Sequence, residues 1–502
     1  MGRHTAARAS TTSDGASEAV AAIQSGLRSH MSTQQTIPRI MIAALKGGAG
    51  KTFVTTGILA ALWRRGLAPA VFKKGPDYID AGWLGLAART DCYNLDTYLM
   101  PPETVVRSFF CRSLGKEIAV VEGNRGLFDG VDPQGTYSTA ELAKLLHVPV
   151  VLIVDATKMT RTAAAVVLGC RGMDPAVALK GVILNRVAGA RHEKVLRQSI
   201  EDASGIPVVG SVSKLASTNF PQRHLGLLPL HEHPLARDFV DAAASLAEEA
   251  IDLDRLVNIA GDAPAFPNDL PTACGFPDPG TRTGLRIGVI RDSAFQFYYP
   301  ENLEALERSA GSLIAVSALE PAELPDLDGL YIGGGFPETH AEQLADNVLF
   351  KKSLLRAITK GLPVYAECGG LMYLSRNLCI DDKIYPMVGA FPIDTTLQKS
   401  PRGLGYIRVQ VERPNPFYPV AAVLTGHEFH YSFVPGLAEK DASCAFKVLR
   451  GHGMDGARDG FWRFNALGTY MHLHALGEPL WAKGIVRRAE EYRKANANRG
   501  HS

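Results

Sequence analysis

Three clusters in this 502-residue chain combine residue types and spacings that can do chemistry. The first is Lys46-Gly47-Gly48-Ala49-Gly50-Lys51-Thr52, which follows the apolar run 40–45 and precedes residues of helical spacing. Glycines let backbone N–H groups wrap an anion, and a helix N-terminus adds partial positive charge. A lysine at position 51 reaches the terminal phosphates, and the Thr52 hydroxyl can face Mg2+. Leu45 stands where such a loop usually has its first glycine, and Lys46 is an additional cation. The expectation is a nucleoside triphosphate held by Lys46, Gly47, Gly48, Gly50, Lys51 and Thr52.

The second cluster is acidic and has two parts, Lys73-Lys74-Gly75-Pro76-Asp77-Tyr78-Ile79-Asp80 and Glu122-Gly123-Asn124-Arg125-Gly126-Leu127-Phe128-Asp129-Gly130. Both follow apolar runs. In an open parallel sheet the C-terminal strand ends converge on one crevice, so both should face the phosphates. Thr52, Asp77 and Glu122 are expected at Mg2+, which takes few direct protein ligands and keeps water. Asp80 and Asp129 belong to the activation side of the same crevice, although Asp80 could instead cap a helix. Asn185, at the end of the run 181–184, either recognises the base or caps a turn.

The third cluster lies far downstream. Pro363-Val364-Tyr365-Ala366-Glu367-Cys368-Gly369-Gly370-Leu371 reads as a strand that delivers a cysteine into a sharp turn before a helix. Small residues two before (Ala366) and two after (Gly370) suit such a nucleophile elbow. The helix N-terminus is expected to depress the thiol pKa, and the N–H of Gly369 to face an oxyanion. A second glycine turn, Gly333-Gly334-Gly335, offers further oxyanion donors in Gly334 and Gly335. His472, in Gly468-Thr469-Tyr470-Met471-His472-Leu473-His474, supplies a base. None of the other six cysteines has a comparable setting.

These residues need elements to position them. At ~150 residues per domain the length implies two or three domains. Apolar residues make up 46% and charged residues 21%, an ordinary globular balance. Lys plus Arg (53) against Asp plus Glu (51) gives +2, which removes the electrostatic case for a nucleic-acid binder. No apolar run reaches the ~18 residues that span a bilayer, so no membrane partner is expected. Seven cysteines without a C-x-x-C pair fit a reduced, cytoplasmic chain. Apolar runs at 40–45, 70–72, 118–121, 148–154, 181–184 and 207–209 alternate with helical spacing, the pattern of βαβ units. Residues 253–284 are rich in Pro and Gly and read as a linker. A second α/β series starts at 285. The expected layout is a tail or leader 1–37, a nucleotide domain 38–252, a linker 253–284, a second domain 285–480 and a tail 481–502.

The loop resembles the deviant Walker A loop of P-loop ATPases related to the partitioning proteins. The cysteine domain resembles class I glutamine amidotransferases. The stretch from about 39 to 480 is similar to the cobyrinate a,c-diamide synthase family through KGGAGKT, KKGPDYID, NLD, EGNRGLFDG, STAELAKLL, GVILNRV, GGGFPETHAE, AECGGLMYL, GHEFHYS and HLH. The resemblance implies a P-loop parallel-sheet domain followed by an amidotransferase-like α/β domain. It also implies Cys368 as glutaminase nucleophile with His472 as its base, and ATP with Mg2+ as cofactors. The reaction implied is amidation of the a and c acetates of a tetrapyrrole-derived macrocycle through an acyl phosphate, with L-glutamine as nitrogen donor. Lys73, Lys74 and Arg125 are candidates for contacting the macrocycle's carboxylates. Many triad amidotransferases carry Glu two residues past the histidine; here His474 stands there, which leaves the orienting group unassigned. A homodimer is a further expectation. Asn124-Arg125 and the HLHALGEPLW ending also resemble a sirohaem-amidating branch. A partitioning-type switch ATPase is the non-enzymatic alternative, and it needs neither an elbow cysteine nor HLH.

Overall fold

The computed structural model describes residues 37–214, 222–223, 226–227, 235–266, 283–437 and 443–499. The expected leader, apart from Ile37, lies outside the described residues. The first domain is built on a seven-stranded sheet in the order β3-β2-β4-β1-β5-β6-β7. These strands are Arg39–Ala44 (β1), Pro69–Lys74 (β2), Cys92–Leu95 (β3), Ile118–Glu122 (β4), Val150–Asp155 (β5), Leu179–Val187 (β6) and Val208–Ser213 (β7). Every pairing is parallel. Period two explains the two cores. Met41 and Ala43 face one, Ile40, Ile42 and Ala44 the other, and all are buried. The central place of β1 puts the loop that follows it amid the C-terminal ends of its neighbours.

The expected linker begins too early. Residues 253–261 form a helix, Leu253–Gly261, whose Leu253, Leu256, Ile259 and Ala260 are buried in the first domain's core. Phe266 packs on Phe109, and buried Arg39 donates to the carbonyls of Leu146 (3.0 Å) and Pro264 (2.6 Å). The first domain therefore extends through 266. Prolines and glycines marked the region, but the amphipathic spacing within it decides where the helix lies.

The second domain holds a nine-stranded sheet. Five parallel strands run Gly311–Val316, Leu285–Ile290, Gly329–Ile332, Val364–Glu367 and Ala466–Thr469. Four antiparallel strands extend it through Arg458–Arg463, Cys444–Arg450, Gly403–Val411 and Val423–His430. The expected tail after 480 is instead the helix Leu480–Arg499, with Trp481, Ile485 and Ala489 buried against that sheet.

The two domains meet along an aromatic and polar seam. Tyr78 of the first acidic loop stacks on Phe297 (centroids 5.1 Å apart, 3° between planes), and Tyr98 stacks on Tyr406. Tyr406 donates to Asp96 (2.6 Å), while Arg112 and Tyr93 both reach Glu304. Gly477 lies against the Leu99 carbonyl, where a side chain would not fit.

Candidate active sites

The phosphate loop turns through Gly48 (φ 70°) and Gly50 (φ 90°) before the helix Lys51–Arg64. At Gly50 both the positive φ and the approach of Asn185 exclude a side chain. The Asn185 amide donates to the Ala49 carbonyl at 2.8 Å. Its Oδ1 accepts the N–H of Arg186 (2.9 Å), so the side chain braces the loop and caps its own turn. Lys51 Nζ is held by the carbonyls of Arg125 (2.6 Å) and Lys46 (3.2 Å), which ties the loop to the second acidic segment. Lys46 is largely exposed, 3.7 Å from Asp155.

The acidic clusters converge on this loop as the parallel sheet requires. Thr52 donates to Glu122 Oε1 at 3.2 Å. Glu122 is fully buried, and its Oε2 has no hydrogen-bond partner among the described residues. A hydroxyl beside an unsatisfied carboxylate oxygen fits Mg2+, which would take its remaining ligands from phosphate and water. Asp77 is on the adjacent loop, where its Oδ1 accepts the N–H of Asp80 (2.8 Å) and closes the turn into the helix Ile79–Ala88. Burial and the neighbouring Asp80 push its carboxyl upward.

Lys73 does not reach for substrate. Its ammonium is wholly buried between Glu122 (2.6 Å) and Asp80 (2.8 Å). Burial alone would lower its pKa, but Asp80 and Glu122 hold it above the ordinary lysine value. Asp80 is therefore half of an ion pair and not a free activating carboxylate. Asp129 is exposed and accepts the Gly126 N–H (2.9 Å), which shapes its own turn. Arg125 is exposed in a left-handed conformation (φ 50°), and its carbonyl is one of the two that hold Lys51. Lys74 differs from its neighbour. It is buried, makes no hydrogen bond or ion pair among the described residues, and has its pKa lowered by that burial. Asp96 opposes that lowering from a distance, and a buried cation that no carboxylate contacts directly is suited to an incoming anion.

In the second domain Cys368 has φ 46° and ψ −99°, a strained elbow between Val364–Glu367 and the short helix Gly369–Leu374. A side chain at Gly370 would press on Ile332. The Cys368 N–H donates to the Thr469 carbonyl (2.7 Å), and its thiol to the Phe429 carbonyl (3.8 Å). The expected depression of the thiol pKa is not found. Burial pushes it well up and Glu338 adds to this, against a weaker opposing effect from the Gly369 N–H. A six-residue helix carries too little dipole to offset that desolvation. The resting thiol is protonated and needs a base.

His472 lies on the far side of the glycine turn. A side chain at Gly334 would come within 2.5 Å of its Cε1, and one at Gly369 within 3.2 Å of the Gly335 nitrogen. The elbow, the Gly334-Gly335 turn and the imidazole thus converge. Three features of this site were not read from the sequence. Glu367 Oε2 lies 3.3 Å from His472 Nδ1. His427 stacks on His472 (4.8 Å, 19°), and burial drives its own pKa well down. Tyr78, from the nucleotide domain, packs on both histidines at 5.5 Å. The signal for Glu367 was a charged residue closing an otherwise apolar buried strand. Nothing local announced Tyr78.

A phosphate loop on a parallel sheet, seamed to a cysteine elbow with a histidine, defines a glutamine-dependent, amide-forming ligase. The description "CobQ/CobB/MinD/ParA nucleotide binding domain" matches residues 40–227, and "CobB/CobQ-like glutamine amidotransferase domain" matches 286–480. The chain is 42% identical over 454 residues to a cobyrinate a,c-diamide synthase of Magnetococcus marinus, covering 90% of this chain and 97% of that one. Proteins of the same name from Dehalococcoides mccartyi and Archaeoglobus fulgidus are 40% and 38% identical, each over 90% of this chain and 98% of theirs. The chain belongs to the cobyrinate a,c-diamide synthase family.

Proposed function

We propose that the protein amidates the a and c acetates of cobyrinate in the cytoplasm, using ATP, Mg2+ and L-glutamine. A carboxylate is a poor electrophile because oxide leaves badly. Transfer of the ATP γ-phosphoryl to a carboxylate oxygen gives an acyl phosphate and ADP. Ammonia then attacks the acyl carbon, and phosphate departs with that oxygen. The phosphate loop and Lys51 orient the triphosphate. Thr52 and Glu122 would hold Mg2+, which when bound offsets charge on the phosphates. Lys74 pairs with a substrate carboxylate, and Arg125 receives another at the crevice mouth.

Cys368, deprotonated by His472, attacks the glutamine amide carbon; the oxyanion faces the N–H groups of Gly335 and Gly369. His472 returns the proton to the leaving ammonia, and water releases glutamate from the thioester. The observation that carries this reading is the seam itself: Tyr78 belongs to the acidic loop of one site and packs on the base of the other. A switch ATPase has no use for that contact.

Purified protein offered ATP, Mg2+ and glutamine with cobyrinic acid or with sirohaem, and products resolved by mass spectrometry, tests the substrate. Cobyrinate should gain two amides with matching ADP and glutamate. Lys74→Met should weaken that reaction from glutamine and from ammonia alike, while Cys368→Ala should lose only the glutamine-driven one. Amidation of sirohaem alone would move the assignment to that substrate. ATP turnover with neither macrocycle altered would refute the ligase reading.

A further inference from the structure

The imidazole at the elbow needs a partner that fixes its tautomer, and the position two residues past it cannot supply one. His474 stands there, and its ring faces elsewhere: Nδ1 accepts the N–H of Leu476 at 3.3 Å, and Nε2 is turned toward Glu301, 3.6 Å from its Oε1 and beyond hydrogen-bond reach. A different carboxylate reaches His472. Glu367 closes the strand Val364–Glu367, which pairs in parallel with Ala466–Thr469 so that Glu367 sits opposite Thr469. The chain leaving Thr469 then brings His472 back over it. Glu367 Oε2 lies 3.3 Å from His472 Nδ1 and accepts the Tyr331 hydroxyl at 3.1 Å.

Resting on the glutaminase reading above, we infer that Glu367, the residue immediately before the nucleophile, positions His472 as its base. Three observations carry this. Glu367 is fully buried, and its Oε1 has no hydrogen-bond partner among the described residues. A carboxylate so placed is costly, and the preceding Val364, Tyr365 and Ala366 show that this strand otherwise takes apolar or aromatic side chains. With Nδ1–H donating to Glu367, Nε2 keeps its lone pair. That nitrogen is on the side of the Gly334-Gly335 turn, 3.3 Å from where a Gly334 side chain would begin. The ring plane is also set. His427 stacks on it, and the two histidines exchange both backbone hydrogen bonds (2.8 and 3.0 Å). Tyr331 fixes the carboxylate in turn, which gives a chain Tyr331–Glu367–His472 leading into the elbow. Glu367 touches neither glutamine nor the thiol, so it acts through the histidine.

The test compares Glu367→Gln, Glu367→Asp, Tyr331→Phe and Cys368→Ala in the full chain. Glutaminase kcat and KM are measured beside ammonia-driven amidation, which reports an intact fold and nucleotide site. Positioned acid–base catalysis contributes roughly 10²–10⁴-fold, so Glu367→Gln should lower glutaminase kcat by about 10²-fold with KM changed little. Glu367→Asp should recover part of the loss because it keeps the charge. Tyr331→Phe should lower kcat by a smaller factor at unchanged KM, and it carries the test if the Glu367 variants do not fold. Alkylation of Cys368 by a diazoketone analogue of glutamine should slow in parallel with kcat. Parent kcat in Glu367→Gln or, where that protein does not fold, in Tyr331→Phe, with Cys368→Ala inactive, overturns the role of Glu367 alone. Glutamine hydrolysis surviving Cys368→Ala overturns the underlying site instead.

Discussion

Replacing Lys73 by methionine separates a structural cation from a substrate-binding one. Methionine keeps most of the length and removes the charge. In the parent, Nζ meets Glu122 Oε1 at 2.6 Å, Asp80 Oδ2 at 2.8 Å and the Gly123 carbonyl at 3.3 Å, with no exposed surface on the lysine. Loss of one partner of a buried pair costs about 3–5 kcal/mol, chiefly because the remaining charge is stranded. Here two carboxylates are left facing each other, one fully buried. For a domain of this size each kcal/mol moves the transition by about 2–4 °C, so the first domain's Tm should fall by roughly 6–20 °C. The sign with pH follows from the carboxylates. Lys73 keeps its charge throughout the range from pH 5 to 8, because its folded pKa is raised. The deficit of the variant should therefore shrink as the pH falls and the stranded carboxylates take up protons. Differential scanning calorimetry at pH 8 and pH 5 reads both quantities. A Tm within 2 °C of the parent at pH 8, joined to a raised KM for the macrocycle, would mean that Lys73 binds substrate and that the ion-pair argument is wrong.

Two further outcomes follow from the site geometry. Tyr78→Ala removes the nucleotide-domain ring from His472 and His427 and should raise the glutamate released per amide formed; a ratio equal to the parent's would show the contact to be packing alone. Asp459 is buried, and burial raises its carboxyl to about 6, against hydrogen bonds from Thr469, Gly460 and Tyr470. Its folded pKa lies above the unfolded 3.8, so its contribution to stability declines as pH rises from about 4 through 6, by about 3 kcal/mol in all. Asp459→Asn should accordingly raise Tm at pH 8 and not at pH 4, and an equal change at both would refute the burial argument.

Much of this arrangement was legible because it depends on local pattern. The runs at 40–45 and 118–121 are buried on both faces and became central strands, and Ala366-Glu367-Cys368-Gly369-Gly370 announced its elbow through the absence of side-chain bulk. What was not legible depends on distance. Lys73 and Lys74 are adjacent and identical in type, yet strand alternation sends one into a close ion pair and leaves the other with no carboxylate in contact. Asp80 looked like a cap or an activating group, and only the fold shows that Lys73 claims it while Asp77 closes the turn. The cysteine's pKa is set by its depth of burial, whereas the sequence shows only the helix that follows. The C-terminal helix was missed because charged residues dilute its apolar stripe, although Trp481, Ile485 and Ala489 recur at helical spacing.

The seam explains why such different chemistries share one chain. Ammonia near neutral pH is mostly ammonium, which has no lone pair to attack an acyl phosphate, so glutamine hydrolysis is useful only if its product is delivered before it meets bulk water. That requires a fixed geometry between elbow and crevice. The contacts are of a kind that fixes geometry: stacked rings at Tyr78–Phe297 and Tyr98–Tyr406, the Arg112–Glu304 pair, and a backbone approach at Gly477 that no other residue could occupy. Between them lies a cavity of about 250 Å³, lined by Tyr78, Asn94, Arg291, Gln296, Phe297 and Tyr298. Tyr298 accepts the Gly333 N–H (2.9 Å) beside the oxyanion turn, and Asn94 donates to the carbonyls of Gly75 and Asp77 on the acidic loop. The cavity wall is thus hydrogen-bonded to both reacting loops. The Asp77–Asp80 loop thus reaches the ring of His472 through Tyr78, by direct packing.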